Sequence, residues 1–251
     1  MSKLIILGTA DGVPDADHNN THMAVVGKDA TVLIDCSGIP TIQLARAGIE
    51  LDTITDLILT HFHPDHVGGV PMLLMNMWLT GRIKPLRIYG LHHCLERCED
   101  MMGFYNWENW PNFFPVSFHR LPEREHILVM EKGDFRILSS PVRHVIPTIG
   151  LRMESCNSKK VIAYSCDTEP CPDVVRLSIG ADALIHEAAG AIVGHSSASQ
   201  AGAIAREAGV KELYLIHYPT DQFELGSMQA QAGETFPGKV ILAEDFMELQ
   251  L

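Results

Sequence analysis

THFHPDHVGG, residues 60–69, places three histidines and an aspartate within six positions, directly behind the apolar run DLILT (56–60). That run has the composition of a strand, which delivers His61 to its C-terminal end, the edge where α/β architectures usually build their sites. His61 and His63 stand two apart, so an extended backbone projects both imidazoles to one side. Pro64 then turns the chain and brings Asp65 and His66 back toward the same centre. Gly68 and Gly69 are expected to supply a tight bend into a helix over Val70–Thr80. Imidazole and carboxylate are the ligand types of zinc and related divalent ions. A lone His-x-His is a weak signal, but H-x-H-x-D-H closing a strand is a strong one and predicts a metal site.

One loop cannot hold two ions, so further ligands must come from elsewhere. His144 in SPVRHVIPTIG follows an expected strand over Asp134–Ser139. Asp167 ends the apolar run of VIAYSCDTEPC, and His217 ends that of LYLIHYP. Singly, each is compatible with a satisfied core or rim residue. Together they repeat one arrangement, a metal-capable side chain where an apolar strand stops.

With these residues the chain resembles the metallo-β-lactamase superfamily and, within it, the ribonuclease Z-like branch. LGTADGVP (7–14) is similar to the opening motif of that branch, THFHPDHVGG to its metal motif and YSCDT (164–168) to its aspartate motif. LIHEAA (184–189) and GHSSASQAGAIAREAGVKELYLIHYP (194–219) resemble its later segments. The resemblance implies a four-layered αββα sandwich, α/β (α+β) in class, holding two metal ions. It places His61, His63 and His144 on the first ion, Asp65, His66 and His217 on the second, and Asp167 between them. It also implies that Asp65 orients the nucleophile while binding metal, and that His195 and Glu187 assist catalysis.

His195 can be argued from its position too. It precedes an expected helix over Ser199–Ala208, whose N-terminus favours negative charge. A protonated imidazole beside a bound phosphate there can hand a proton to the leaving oxygen. The alternatives are a His195 that only hydrogen-bonds the helix start and a Glu187 that is only a buried acceptor. Two divalent ions about 3.5–4 Å apart lower the pKa of a shared water, leaving hydroxide as nucleophile near neutral pH. The expected activity is therefore that of a dinuclear-metal phosphodiesterase acting on small or flexible phosphodiesters. The ions are expected to be Zn2+, with Mn2+ or Fe also compatible with the ligand types.

Some features depart from ribonuclease Z proper. Only 22 residues separate His144 from Asp167, and nothing resembles the basic, Gly- and Pro-rich arm by which that family grips transfer RNA. The family's Arg-Tyr after the last histidine is absent, HEAT has become HEAA, and HST has become HSS. The formal charge of −12 points the same way, because affinity for polyphosphate backbones comes from Lys and Arg. A small-molecule phosphoester is thus expected over nucleic acid. An armless transfer-RNA 3′ endonuclease and an arylsulfatase or carboxylic-ester hydrolase remain alternatives. A metal or redox binding protein without hydrolytic activity is an alternative of another class, although di-iron sites favour carboxylates where this chain has histidines.

At 251 residues, with no linker, repeat or low-complexity stretch, the chain is expected to form one domain over 1–251. No apolar run approaches the ~18 residues of a membrane span. The start MSKLIILGTADG suits a first strand better than a signal peptide, and the six scattered cysteines form no CxxC pair, so a cytoplasmic location is expected. A homodimer is expected from the resemblance alone. MGFYNWENWPNFF (102–114) gathers aromatics among turn-formers and allows either a lid or a loop tucked onto the core. His18 and His22 in the first loop are candidates for the cleft mouth.

Overall fold

The structure is a computed structural model that describes residues 2–220 and 225–251. The chain begins with β1 (Lys3–Gly8), β2 (His22–Val26), β3 (Thr31–Ile34) and α1 (Pro40–Arg46), then β4 (Ile54–Ile58), α2 (Pro64–Val67), α3 (Val70–Leu79), β5 (Leu86–Leu91), α4 (His92–Phe104) and β6 (Val116–Leu121). The second half contains β7 (Ile127–Lys132), β8 (Phe135–Val142), β9 (Thr148–Ser155), β10 (Val161–Tyr164), α5 (Pro172–Ser178), β11 (Ala183–Glu187), α6 (Ala198–Ala208), β12 (Glu212–Ile216), α7 (Leu225–Gly233), β13 (Lys239–Leu242) and β14 (Glu248–Gln250). They form two seven-stranded sheets, ordered β14-β1-β2-β3-β4-β5-β6 and β13-β12-β11-β10-β9-β8-β7.

The central strands are apolar on both faces because each sheet is covered on both. Leu4, Ile6, Val32 and Ile58 turn inward and meet Ile137, Leu151, Tyr164 and Ile185 of the other sheet. Their neighbours Ile5, Leu7, Leu33 and Leu57 turn outward onto α1, α3 and α4. Leu184, Leu213 and Leu215 do the same under α5, α6 and α7. This gives the αββα layering expected from the sequence. Each fully buried Leu or Ile contributes about 1.5–3 kcal/mol. No helix among the described residues is long and apolar enough to cross a membrane.

One expectation changes and one open alternative is decided. Gly68 and Gly69 have φ of −61° and −84°, so neither makes a left-handed bend. A Cβ on Gly69 would instead lie 2.9 Å from the carbonyl oxygen of Cys36 and 3.0 Å from that of Ser37, so its smallness serves a close approach to the end of β3. Residues 102–114 are a tucked surface segment. Trp110 stacks on Trp78 at 4.9 Å, the Trp78 indole N–H donates to the Pro111 carbonyl, and Trp107 and Phe113 pack on the cluster beneath α3 and α4. This segment leads into the start of β6, the end of a parallel strand opposite the metal motif's rim. α5, β6 and β14 carry no clear sequence signal. α5 is seven residues long and held by the buried side chains of Val174, Val175 and Leu177, and β6 is a largely exposed edge strand.

Candidate metal centre

Both sheets send parallel strands to one rim. β3, β4 and β5 run parallel, as do β10, β11, β12 and β13. Asp35 therefore follows β3, His61 follows β4, Asp167 follows β10, Glu187 closes β11 and His217 follows β12. Asp35, Cys166 and His217 have φ of 62°, 55° and 52°, left-handed conformations in which a side chain other than glycine costs of order 1–3 kcal/mol. They turn the chain where three strands end at the centre.

The ligand atoms form two groups with a common member. In the first, His61 Nε2 lies 3.0 Å from His63 Nδ1 and 3.7 Å from Asp167 Oδ2, and His144 Nε2 lies 3.2 Å from His63 Nδ1. In the second, His66 Nε2 is 3.4 Å from Asp65 Oδ2 and 3.5 Å from Asp167 Oδ2, and His217 Nε2 is 3.2 Å from Asp167 Oδ2 and 3.9 Å from Asp65 Oδ2. Within each group all such atoms lie within 4.8 Å of one another. All seven expected ligands are thus brought together, with Asp167 common to both groups.

These residues fit divalent ions. Tetrahedral ligands ~2.0–2.1 Å from one ion stand roughly 3.4 Å apart, close to the observed spacings. The hydrogen bonds also fix which nitrogen is bare. His66 Nδ1 donates to Asp35 Oδ2 at 2.8 Å and His144 Nδ1 to the Gly194 carbonyl at 2.7 Å, so each presents an Nε2 lone pair to the centre. His66 Nε2 and Asp167 Oδ1 are buried and have no hydrogen-bond partner among the described residues. Lone pairs converging in a dry rim repel unless a cation lies between them. The carboxylates favour positive charge at this rim. Burial lowers the His66 pKa, yet Asp167 and Asp35 hold it well above the ordinary value. Burial raises that of Asp167, yet His217 and His66 bring it well below.

His195 and Glu187 also meet here. His195 Nδ1 is 3.2 Å from Glu187 Oε1, and the His195 ring stacks on His217 with centroids 5.8 Å apart. Glu187 is fully buried and accepts backbone N–H groups from Thr168, Ser196 and Ala189. Burial raises the Glu187 carboxyl above its ordinary range. Desolvation lowers the His195 imidazole, and the Glu187 carboxylate more than offsets this, so its pKa lies above the ordinary value. α6 begins just beyond, with a capping box in which Ser197 Oγ accepts from Gln200 N and Gln200 Oε1 from Ser197 N.

Other histidines take different places. His22 is buried, with Nδ1 at 2.8 Å from the Asn20 carbonyl, while His18 pairs with Asp15 at 2.9 Å and lies against Tyr218. Burial pushes His186 down to about 4, and its Nδ1 donates to the Glu187 carbonyl. The sequence reading missed Asp35, which accepts from His66 Nδ1 and from both the amide and hydroxyl of Thr60. The signal was available, because Asp35 ends the apolar run TVLI as Asp167 ends VIAY. It also missed Gly194, whose carbonyl orients His144 and whose N–H is held by Glu169.

The two packed sheets and the His/Asp rim define a metal-dependent hydrolase of the metallo-β-lactamase fold, in its ribonuclease Z-like branch. The chain belongs to the family described as Anti-Pycsar protein Apyc1, which residues 2–236 match. Ribonuclease Z from Methanothermobacter thermautotrophicus is 29% identical over an alignment of 307 positions that covers 100% of this chain and 97% of the relative. Among solved structures, the metallo-β-lactamase fold protein YhfI from Bacillus subtilis superposes with a TM-score of 0.83 at 22% identity, covering 99% of this chain and 98% of that one. A diphosphatase from the PhnP family gives 0.78 at 20% identity, covering 100% and 98%.

Proposed function

We propose that the chain is a phosphodiesterase acting on small or flexible phosphodiesters, among them cyclic nucleotides, nucleotide-like esters and short RNA. The observation that carries this reading is the Asp167 carboxylate shared by two ligand sets. His61, His63 and His144 with Asp167 would hold one divalent ion, and Asp65, His66 and His217 with Asp167 a second. Zinc is the ion that best suits this donor set, with manganese and iron also accepted. When bound, the ions supply Lewis acidity, lowering the pKa of water and neutralising phosphoryl oxygens.

The remaining steps fall to side chains of the chain. Asp65 is 19% exposed against 2% for Asp167, so it is the carboxylate that can meet and orient an attacking water. His195, its Nδ1 anchored by Glu187, keeps Nε2 free to protonate a leaving oxygen. Small substrates are favoured by the net charge of −12 and by the stretch between His144 and Asp167, most of which is the short antiparallel β9–β10 hairpin. The 307-position alignment with the Methanothermobacter ribonuclease Z, against 251 residues here, shows that the relative carries stretches with no counterpart in this chain. The whole-length match to ribonuclease Z favours one second reading, transfer-RNA 3′ cleavage without an arm.

Turnover of bis(p-nitrophenyl) phosphate by the metal-loaded protein, beside aryl sulfate, aryl acetate and a precursor transfer RNA, tests both readings. Chelator-sensitive hydrolysis of the phosphodiester is expected. Selective cleavage of the precursor RNA would favour the second reading, and selective hydrolysis of sulfate or acetate would refute both.

A further inference from the structure

A cavity of about 420 Å3 opens beside His144, walled by Val142, Val145, Ile146 and Pro147, with Arg143 and the carboxylates of Glu123 and Asp173 also lining it. Its size falls in the range of small-ligand pockets, ~300–1,000 Å3. The side chains next to His144 in the lining include the apolar Val145, Ile146 and Pro147, although a phosphodiester and two cations alone need nothing apolar. Val145 is solvent-exposed and directly follows the ligand His144. It touches the loop that carries His195, because a Cβ on Gly194 would lie 2.9 Å from Val145 Cγ1. The tip of that loop holds Ile192 and Val193, exposed at 63% and 79%.

The loop is held in place. Gly190 N–H donates to the Ser196 carbonyl, His195 N–H to that of Ile192, and Gly194 N–H to Glu169. Two bulky apolar side chains are therefore presented to water on an anchored turn within a few residues of His195. Neither is buried by the described residues.

We propose that this wall is the subsite for the non-reacting substituent of the phosphodiester, and that it selects a planar apolar group such as an aryl or heteroaromatic ring. The inference rests on the phosphodiesterase reading. Val145, Ile146 and Pro147 give the ring a floor beside His144, and the turn that touches Val145 presents Ile192 and Val193 next to it. An alkyl substituent reaches the same centre but loses these contacts. The discrimination falls on substrate binding, because the wall touches no reacting atom.

Two esters with the same leaving group test this: bis(p-nitrophenyl) phosphate and methyl p-nitrophenyl phosphate. In both, water adds to phosphorus, one P–O bond breaks, p-nitrophenolate leaves and a proton is released. Only the retained substituent differs. The wild type is expected to show a KM about tenfold lower for the aryl ester, the lower end of what an apolar contact supplies. Val145→Ser and Ile192→Ser should each bring the two KM values toward equality, by raising the aryl-ester KM more than the methyl-ester KM. The remote exposed Ile83→Ser should leave the ratio unchanged. Failure of the metal-loaded wild type to turn over either ester would overturn the phosphodiesterase reading and the subsite with it. Turnover of both esters with equal KM, or a ratio that neither wall substitution alters, would overturn the subsite alone. Loss of self-association in the wall variants with the KM ratio intact would also overturn it, marking the wall as an interface between copies of the chain.

Discussion

Asp35 Oδ2 accepts the Nδ1 proton of His66 at 2.8 Å, and the same carboxylate accepts the amide and hydroxyl of Thr60. The end of β3 thereby sets which nitrogen His66 turns toward Asp65 and Asp167. Asp35→Asn keeps a side chain that tolerates the left-handed backbone but loses the charge. Partners of this kind typically contribute 10–100-fold to metal affinity. The variant is expected to bind Zn2+ or Mn2+ about tenfold more weakly with an unchanged circular dichroism spectrum. Wild-type affinity in a competition titration would show that Asp35 serves the fold and not the ion.

Asp167 belongs to both ligand groups, so its loss should not resemble the loss of one histidine. Asp167→Ala is expected to lose both ions and to slow phosphodiester hydrolysis by at least about a hundredfold, the scale of removing one transition-state charge contact. His144→Ala should retain one ion. Elemental analysis still showing two ions per chain in Asp167→Ala would refute the shared-ligand reading.

His195 has one nitrogen tied to Glu187, and the assigned acid role makes its contribution depend on the leaving group. General acid catalysis contributes about 10²–10⁴-fold where the leaving oxygen is basic and little where it is not. His195→Ala should keep its metal content and slow alkyl esters far more than p-nitrophenyl esters. Equal slowing of both would remove the residue from that role.

Gly194 has φ +85°, and an added Cβ would lie 2.9 Å from His144 Nδ1. Gly194→Ala must therefore strain the turn or push the imidazole away. A destabilisation of about 1–3 kcal/mol is expected, with weakened binding of the ion that His144 would hold. Thermal melts with and without metal check both. A variant matching the wild type in each would show that the loop relaxes freely.

Much of the centre was legible in the sequence because strands ended in polar residues stand out against apolar runs. His61, Asp167 and His217 each close such a run, and the H-x-H-x-D-H spacing fixes the local turn. Asp35 carried the same signal but lacked a neighbouring motif to draw attention to it. Gly194 could not be found this way, because its role is a carbonyl direction and a missing Cβ, and neither leaves a pattern along the chain. The lid alternative for residues 102–114 failed for a similar reason. Trp107, Trp110 and Phe113 gave the aromatic content of that segment, but only the parallel β5–β6 pairing shows which end of the sheet it occupies.

Asp182 ties the start of β10 to the start of β12, since Oδ1 accepts from Lys211 Nζ at 2.6 Å and Oδ2 from Val161 N–H at 3.0 Å. The Lys211 hydrogen bond, reinforced by the Val161 amide, outweighs burial and lowers the carboxyl's pKa. A folded-state value below the unfolded one stabilises the fold above the unfolded pKa of ~3.9 and ceases to do so as pH falls through the folded value. Asp182→Asn, an isostere that does not titrate in this range, should therefore be less stable than wild type at neutral pH. The gap should close as the pH drops below about 4. Urea midpoints measured from roughly pH 3 to 7 follow this directly. Each contact is partly exposed, so the gap should also narrow in high salt. A difference that is constant across the range would mean that Asp182 acts by shape alone.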